Sequence, residues 1–363
     1  MNRSIWAWVR VVGGMGILAV LLWRLGTGAF VDGLRVIDGP ALVAAFSIGV
    51  ATTVFSAWRW CLVARGLGMK LSLRGAIADY YKALFINAAL PGGVLGDVDR
   101  AVQHGRDEGD VGKSVRAVVL ERTAGQVVLI SVGVTVLLTV PSPVLSHLEA
   151  HARWLALAAA SIVGVAALLV VVFGRLRSGA SRWAHAARTG VSEVRAGLLA
   201  RRNWPGVVLA STVVLLGHLA TFVVAARAAG STASLLRLAP LMLLALLAMT
   251  LPVNIGGWGP REGVTAWAFG AAGLSATQGL TIAVVYGLFA FVAALPGLVV
   301  IIVRALARAR ARTAEKAAHA VPAVSAIATV PAVPAISAVS AAPVIVSPQM
   351  ITLPMRELVG SSA

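Results

Sequence analysis

Apolar runs long enough to cross a lipid bilayer dominate this 363-residue sequence. A helix needs about 20 apolar residues to cross the hydrocarbon core, where it satisfies its own backbone hydrogen bonds. Hydrophobic residues make up 59% of the chain and charged residues only 12%. The sequence therefore predicts an all-α, polytopic membrane protein. Its apolar runs occupy residues 9–25, 41–63, 76–90, 116–140, 154–173, 205–229, 235–251 and 278–303.

The positive charge of the chain lies in the loops between these runs. The formal net charge is +17, and its placement beside apolar runs indicates membrane orientation and not nucleic-acid binding. Residues 174–203 are rich in arginine, whereas residues 141–152 contain neither Lys nor Arg. Because Lys-rich and Arg-rich loops stay in the cytoplasm, the run at 76–90 must enter the membrane and return without crossing. We expect about six full spans in a cytoplasmic (inner) membrane, with both termini cytoplasmic.

A repeated motif marks two predicted re-entrant helical hairpins. Each copy has a Leu-Pro pair followed at fixed spacing by Gly, Arg, Gly and Ser. The copies are Leu90-Pro91, Gly96, Arg100, Gly112 and Ser114, and then Leu251-Pro252, Gly257, Arg261, Gly273 and Ser275. We expect inverted repeats around residues 76–140 and 235–303 that enter from opposite faces, as in many secondary transporters. The alternative is a chance match in a sequence rich in Gly and Ala.

The second break offers an anion site. Pro260 suits the first turn of a helix, where its missing N–H costs nothing. A helix that restarts there points free N–H groups at the glycines before it, and Arg261 adds a bidentate donor for phosphate. The predicted substrate-binding residues at this break are Asn254, Gly256, Gly257, Arg261 and Glu262.

The first break is more acidic. We assign Arg100, Glu121 and Arg122 to substrate binding or charge balance on the cytoplasmic side. Glu121 and Arg122 lie inside an apolar run, where an unpaired charge costs at least about 2.5 kcal/mol, so at least one of them should face the breaks. The predicted gate or counter-charge residues are Pro91, Gly92, Gly93, Gly96, Asp97 and Asp99.

Two further polar residues lie within apolar runs. Arg59 stands between Trp58 and Trp60, a pattern that predicts an interfacial anchor. His218 lies in the middle of the run at 205–229. It is either a neutral, hydrogen-bonded structural histidine or a proton-coupling group.

The composition changes near the C-terminus. Residues 314–363 are rich in Ala, Val, Pro and Ser, which predicts a disordered cytoplasmic tail after a membrane domain at residues 1–313. Cys61 is the only cysteine, so a zinc site built on thiolates is excluded. We find no nucleotide-binding glycine loop and expect no metal, no cofactor and no ATP-driven step.

The two glycine-rich breaks resemble those of the lysylphosphatidylglycerol synthase transmembrane-region family, also described as flippase-like. The resemblance covers residues 5–305 and rests on the stretches Asn87 to Asp97 and Pro252 to Gly263, with Arg100, Glu121 and Arg122. It implies an integral membrane protein that handles a lipid-linked anionic headgroup. The bifunctional members carry a large aminoacyl-transferase domain after the membrane part. Only 60 residues follow Val303, so we expect no such domain here.

These observations predict a translocator, or flippase, of an anionic phospholipid or lipid-linked headgroup, working by alternating access around the broken helices. The oligomeric state is not indicated. One alternative is a membrane-embedded transferase on a polyprenyl-phosphate (lipid-linked sugar) substrate, for which Asp97 and Asp99 would be the acidic pair. The other is a non-transporting scaffold for envelope enzymes. An enzymatic role is the weaker interpretation.

Overall fold

The computed structural model describes residues 33, 35–90, 93–140, 189–190, 192–250 and 258–320. These ranges contain helices and no strand. A short π-helical turn at Arg195–Leu199 precedes α5. The α-helices are α1 (Gly39–Gly66), α2 (Leu73–Ala89), α3 (Leu95–Asp107), α4 (Val111–Thr139), α5 (Trp204–Ala228), α6 (Leu235–Ala248), α7 (Pro260–Ala271), α8 (Ala276–Ala294) and α9 (Pro296–Ala320).

Polar caps fix where several helices begin. The Asp38 carboxylate accepts a hydrogen bond of 2.8 Å from the Ala41 N–H at the start of α1, and Asp110 does the same for Lys113 in α4. Ser72 and Ser234 cap α2 and α6 in the same way. Each cap satisfies a backbone donor that the first helical turn leaves unpaired.

Four helical segments in the described ranges are long and apolar enough to cross a membrane: α1, α4, α5 and the continuous segment Ala276–Glu315, which joins α8 to α9. The prediction of an all-α polytopic membrane protein is confirmed at this level. The predicted runs at 9–25 and 154–173 lie outside the described residues.

Helices α2 and α3 form the first hairpin. They pack side by side in opposite directions, with Lys82 of α2 bound to Gln103 of α3 and Asn87 bound to Gly96. The Lys70 N–H donates a 3.3 Å hydrogen bond to the Glu108 carboxylate. Lys70, three residues before α2, and Glu108, just after α3, are therefore adjacent at one end of the hairpin.

Helices α6 and α7 form the second hairpin. The Arg237 guanidinium near the start of α6 donates a 2.7 Å hydrogen bond to the Ala272 carbonyl just after α7. The chain therefore returns close to where it left. Helix α7 begins at Pro260, as the sequence predicts. Helix α6 has 14 residues and is about 21 Å long, shorter than the hydrocarbon core of a bilayer.

The fixed spacing of the repeated motif does not pair structurally equivalent residues beyond the breaks. Gly273 follows α7 with a φ of 68°, and its structural counterpart after α3 is Gly109, with a φ of 78°. Gly112, which the spacing pairs with Gly273, lies inside α4. Ser114 is likewise buried inside α4, whereas Ser275 caps α8. The reason is that the linker between the two helices is shorter in the first hairpin than in the second, so the fixed spacing loses register after the breaks.

The largest apolar core lies where α5, α6, α7 and α8 meet. Phe222, Met242, Phe269 and Phe289 are each at most 2% exposed there. Large buried aromatic and aliphatic side chains of this kind hold helix faces in one arrangement. The core fixes the second hairpin against α5 and α8.

The chain divides into two compact units, at residues 1–307 and 308–363. The functional residues described below belong to the first unit. In the second unit the structure describes residues 308–320, which are helical. Helix α9 thus continues past residue 314, where the sequence analysis begins the tail.

Candidate functional site

Glu121 of α4 is the centre of a buried ion-pair network. Its side chain has no solvent exposure. Oε1 accepts hydrogen bonds from Arg59 Nε at 2.9 Å and Arg59 Nη2 at 2.5 Å, and Oε2 accepts one from Arg100 Nη2 at 2.8 Å. The Tyr80 hydroxyl donates a further bond of 3.3 Å. One carboxylate therefore joins α1, α2, α3 and α4.

Arg100 of α3 lies between two aromatic rings. Its guanidinium carbon is 4.6 Å from the ring centroid of Trp60 and 4.6 Å from that of Tyr80. Its Nε also donates a 2.9 Å hydrogen bond to Asp97. The side chain is only 1% exposed, so ring faces and carboxylates take the place of water around this cation.

Asp97 links the network to the break in the first hairpin. Its Oδ1 also accepts a 2.8 Å bond from Arg122 Nη2, and its Oδ2 accepts a 3.2 Å bond from the Asn87 amide. The Asn87 side chain in turn accepts a 2.7 Å bond from the Gly96 N–H. A side chain at Gly96 would overlap the backbone of Ala83, so only glycine allows the two helices this close approach.

We call Arg59, Arg100, Arg122, Glu121 and Asp97 the first charge cluster. It contains three guanidinium groups and two carboxylates that bond to one another. With all five groups charged, the cluster keeps an excess of one positive charge. Glu121 and Arg122 both bond to residues of α3, the helix that follows the first break. Their role in substrate binding stays a prediction.

Of the remaining predicted gate residues, the structure describes Asp99 and Gly93. Asp99 forms a 2.6 Å ion pair with Lys82 of α2. Gly93 has a φ of 60° in the break, where a side chain would be strained. Pro91 and Gly92 lie outside the described residues. Asp97 and Asp99 are therefore both held by cations, one within the first charge cluster and one outside it.

Arg261 and Glu262 form a second charge cluster at the start of α7. Arg261 donates to Glu262 Oε1 from Nε, at 2.9 Å, and from Nη2. Its guanidinium carbon lies 5.2 Å from the Trp258 ring and 5.1 Å from the Tyr286 ring. Arg261 is 2% exposed and Glu262 is fully buried. This pair has no net charge.

Glu262 occupies the helix terminus that the sequence analysis assigns to a phosphate. Its Oε2 accepts a 2.7 Å hydrogen bond from the Gly259 N–H just before α7. A carboxylate is stabilised at this position by the partial positive charge of the terminus. The predicted partners Asn254, Gly256 and Gly257 lie outside the described residues.

A cavity of about 160 Å³ lies among α1, α2, α4, α5 and α8. Arg59 and Arg122 of the first charge cluster line it, and no lining residue is Asp or Glu. Small side chains of α1 and α8 leave the space. The polar lining residues without formal charge are Thr52, Thr53, Ser56, Tyr80, His218, Thr221 and Tyr286.

His218 and Tyr286 connect the cavity to the second charge cluster. His218 Nδ1 lies 2.9 Å from the Tyr286 hydroxyl, while the Tyr286 ring stacks on Arg261. The histidine therefore has a hydrogen-bond partner, as the structural interpretation requires. It also faces a polar cavity, as the proton-coupling interpretation requires.

The interpretation of Arg59 as an interfacial anchor is wrong. Its side chain is only 5% exposed and pairs with Glu121, and its Nη1 also bonds Ser211. Flanking tryptophans suggested the membrane interface, but Trp60 instead contacts Arg100. One signal was available in the sequence. A carboxylate inside an apolar run needs a cation, and Arg59 is itself inside such a run.

A protein-family model described as the lysylphosphatidylglycerol synthase TM region matches residues 7–297. No curated protein matches the chain. The matched residues include both charge clusters and the whole cavity lining.

Proposed function

Because the chain belongs to the lysylphosphatidylglycerol synthase transmembrane-region family, we propose that it moves an anionic phospholipid or lipid-linked headgroup across the cytoplasmic membrane. Membership makes it a multi-pass membrane protein related to lipid handling. The observation that carries the finer proposal is the cavity among the apolar helices, lined by two arginines and no carboxylate.

The excess charge favours a ligand site over a purely structural role. Charged groups are costly within the hydrocarbon region, and a buried ion pair adds little stability compared with apolar packing. The first charge cluster nevertheless places three cations against two anions. An anionic headgroup in the cavity would neutralise the excess.

We further propose that the two hairpins are re-entrant and enter from opposite faces, so that the chain has about six full spans. Two contacts support this topology, since Lys70 bonds Glu108 and Arg237 bonds Ala272 at the ends of the hairpins. Helices α4 and α5, both long enough to cross the membrane, lie between the two hairpins in the chain. The apolar run at residues 154–173, which the sequence predicts as a further span, lies between them as well. Three crossings would put the hairpins on opposite faces.

Alternating access follows from this arrangement. Tyr80 and Leu84 of the first hairpin line the cavity directly, and Arg261 of the second stacks on Tyr286, which also lines it. A shift of the first hairpin would open the cavity to the cytoplasmic leaflet, and a shift of the second to the outer leaflet. The acyl chains would stay in the lipid. A lipid gradient, an ion gradient or consumption of the product would drive net movement.

Leaflet exchange in vesicles tests the function. Purified protein is reconstituted with a labelled anionic phospholipid, and the fraction of label reachable from outside is followed. We expect faster exchange than in empty vesicles. Ala290→Phe should abolish the acceleration because Ala290 lines the cavity on α8.

The matched control is Val299→Phe, which adds the same ring at a position of α9 that is 60% exposed. This variant should retain the wild-type rate. A wild-type rate equal to that of empty vesicles, for every anionic lipid tried, would rule out the translocator.

A further inference from the structure

The donors around the cavity are not equally available. Arg59 uses Nε and Nη2 on Glu121 and Nη1 on Ser211. Arg122 uses Nη2 on Asp97, and its Nη1 bonds to no described residue. Arg122 therefore has a whole NH₂ group to offer a ligand, while every nitrogen of Arg59 is already engaged and Arg59 contributes mainly its charge.

The threonine hydroxyls that line the cavity are acceptors for a ligand. Thr52 and Thr53 donate to the Gly49 carbonyl at 2.9 and 2.8 Å, and Thr221 donates to the Gly217 carbonyl at 3.0 Å. Each hydroxyl proton is thus bound within its own helix. The oxygen lone pairs remain free to accept bonds from hydroxyl groups of a ligand.

From these two features we infer the substrate class of the cavity, an inference that rests on the proposed function. The headgroup is a phosphodiester with a single negative charge whose other polar groups are uncharged hydroxyls. The phosphate binds at Arg122 beside Arg59, and the hydroxyls bind along Thr52, Thr53 and Thr221. A headgroup that carries an amine is disfavoured.

The charge count gives the reason for this selectivity. A monoanion brings the first charge cluster and ligand to neutrality. A zwitterionic headgroup leaves the excess positive charge in place, and a cationic aminoacylated headgroup adds to it. Inside a low-dielectric cavity an uncompensated charge is strongly unfavourable. A cavity of about 160 Å³ also suits a phosphate with a small polyol better than a long aminoacyl extension.

Lipid retention and leaflet exchange together test this inference. The full chain is purified in the presence of an equimolar mixture of phosphatidylglycerol, phosphatidylethanolamine and lysyl-phosphatidylglycerol with identical acyl chains. Native mass spectrometry then measures which lipid stays bound. Exchange of each labelled lipid is measured separately in vesicles.

We expect phosphatidylglycerol to be retained about tenfold or more over the two amine lipids, the scale expected for a hydrogen bond to a charged group in a desolvated site. Arg122→Gln should remove the preference. Its side chain is 41% exposed, so the variant should fold. The control Arg116→Gln changes the same residue type on the same helix, at an ion pair with Glu193 away from the cavity, and should keep the preference.

Equal retention of the three lipids, or a preference that survives Arg122→Gln, would overturn the inference. Equal and rapid exchange of all three would overturn it as well, while leaving the translocator standing. Selective, Arg122-dependent retention without any exchange would support the headgroup assignment and remove the translocator instead. The failures of the two proposals are therefore distinguishable.

Discussion

The two hairpins use the same chemistry in opposite ways. Each contains a buried arginine held between two aromatic rings and bonded to a glutamate. In the first hairpin the glutamate, Glu121, belongs to another helix and binds two arginines. In the second, Glu262 is the next residue in the chain and binds one. The first cluster therefore joins α1, α3 and α4, and the bond from Tyr80 to Glu121 adds α2, whereas the second is completed within one helical turn.

This difference is the basis of our proposal for where an anion binds. Arg261 is neutralised by its neighbour, so the second cluster has no charge to offer. The first cluster has one guanidinium more than it has carboxylates, and two of its arginines face the cavity. The sequence analysis favoured the second break as the anion site and the first as a source of counter-charge. Our proposal reverses these roles.

Labelling from the two sides of the membrane gives the largest expected effect, because it is all or none. In a Cys61→Ala background, which removes the single buried thiol, Lys70→Cys lies before the first hairpin and Asp107→Cys is at its last residue. Thr232→Cys and Thr277→Cys lie on the two sides of the second. We expect a membrane-impermeant maleimide to label the first pair only from the cytoplasm and the second pair only from outside. Labelling of both pairs from the same side would show that the two hairpins do not enter from opposite faces.

Neutralising the two glutamates should show the next largest effect. Glu121→Gln removes the negative charge that pairs with two buried guanidinium groups. It should lower the free energy of unfolding by roughly 3–5 kcal/mol. Glu262→Gln affects one arginine and one backbone N–H, and should cost roughly 1.5–3 kcal/mol. Denaturant titration in detergent micelles measures both.

Glu193→Gln is the control for these variants. It breaks an ion pair with Arg116, whose side chain is 43% exposed, and exposed pairs of this kind contribute about 0–1 kcal/mol. If Glu262→Gln cost as much as Glu121→Gln or more, the idea that the first cluster alone holds several helices together would be wrong.

Three glycine substitutions give the smallest effects and test which residues of the hairpins correspond. Gly109→Ala and Gly273→Ala place a side chain at φ values of 78° and 68°, and each should cost about 1 kcal/mol. Gly112→Ala lies inside α4 and should stabilise the protein by up to about 1 kcal/mol, because alanine favours the helix. Thermal unfolding shows whether each substitution raises or lowers the stability of the protein. If Gly112→Ala lowered the stability as much as Gly273→Ala, then Gly112 and Gly273 would be equivalent residues, as the fixed spacing of the motif predicts.

The sequence predicts correctly where several helices begin and end, because these positions depend on neighbouring residues. A proline at the first turn predicts the start of α7, and the structure begins that helix at Pro260. The Leu-Pro-Gly-Gly stretch predicts a break, and α2 ends at Ala89. A buried charge predicts a nearby break, and Glu121 and Arg122 both bond to residues of α3.

Partner choice could not be predicted in the same way. Arg59 and Glu121 are separated by 62 residues. Both lie inside apolar runs, but nothing near either residue shows that they pair with each other. The cavity depends on residues of five helices that meet only in the folded chain. The threonines that line it look like ordinary members of an apolar run.

The sequence by itself determined the class of the protein and the places where its helices break, because hydropathy and helix capping act within a few residues. It also contains the loop charges from which the orientation of the chain is predicted. Only the tertiary structure decided which charges pair, which cluster keeps an excess and where the cavity lies. The physical reason is that α1, α4 and α5 are apolar on nearly every face, so the sequence carries no amphipathic pattern to show which face meets its neighbour.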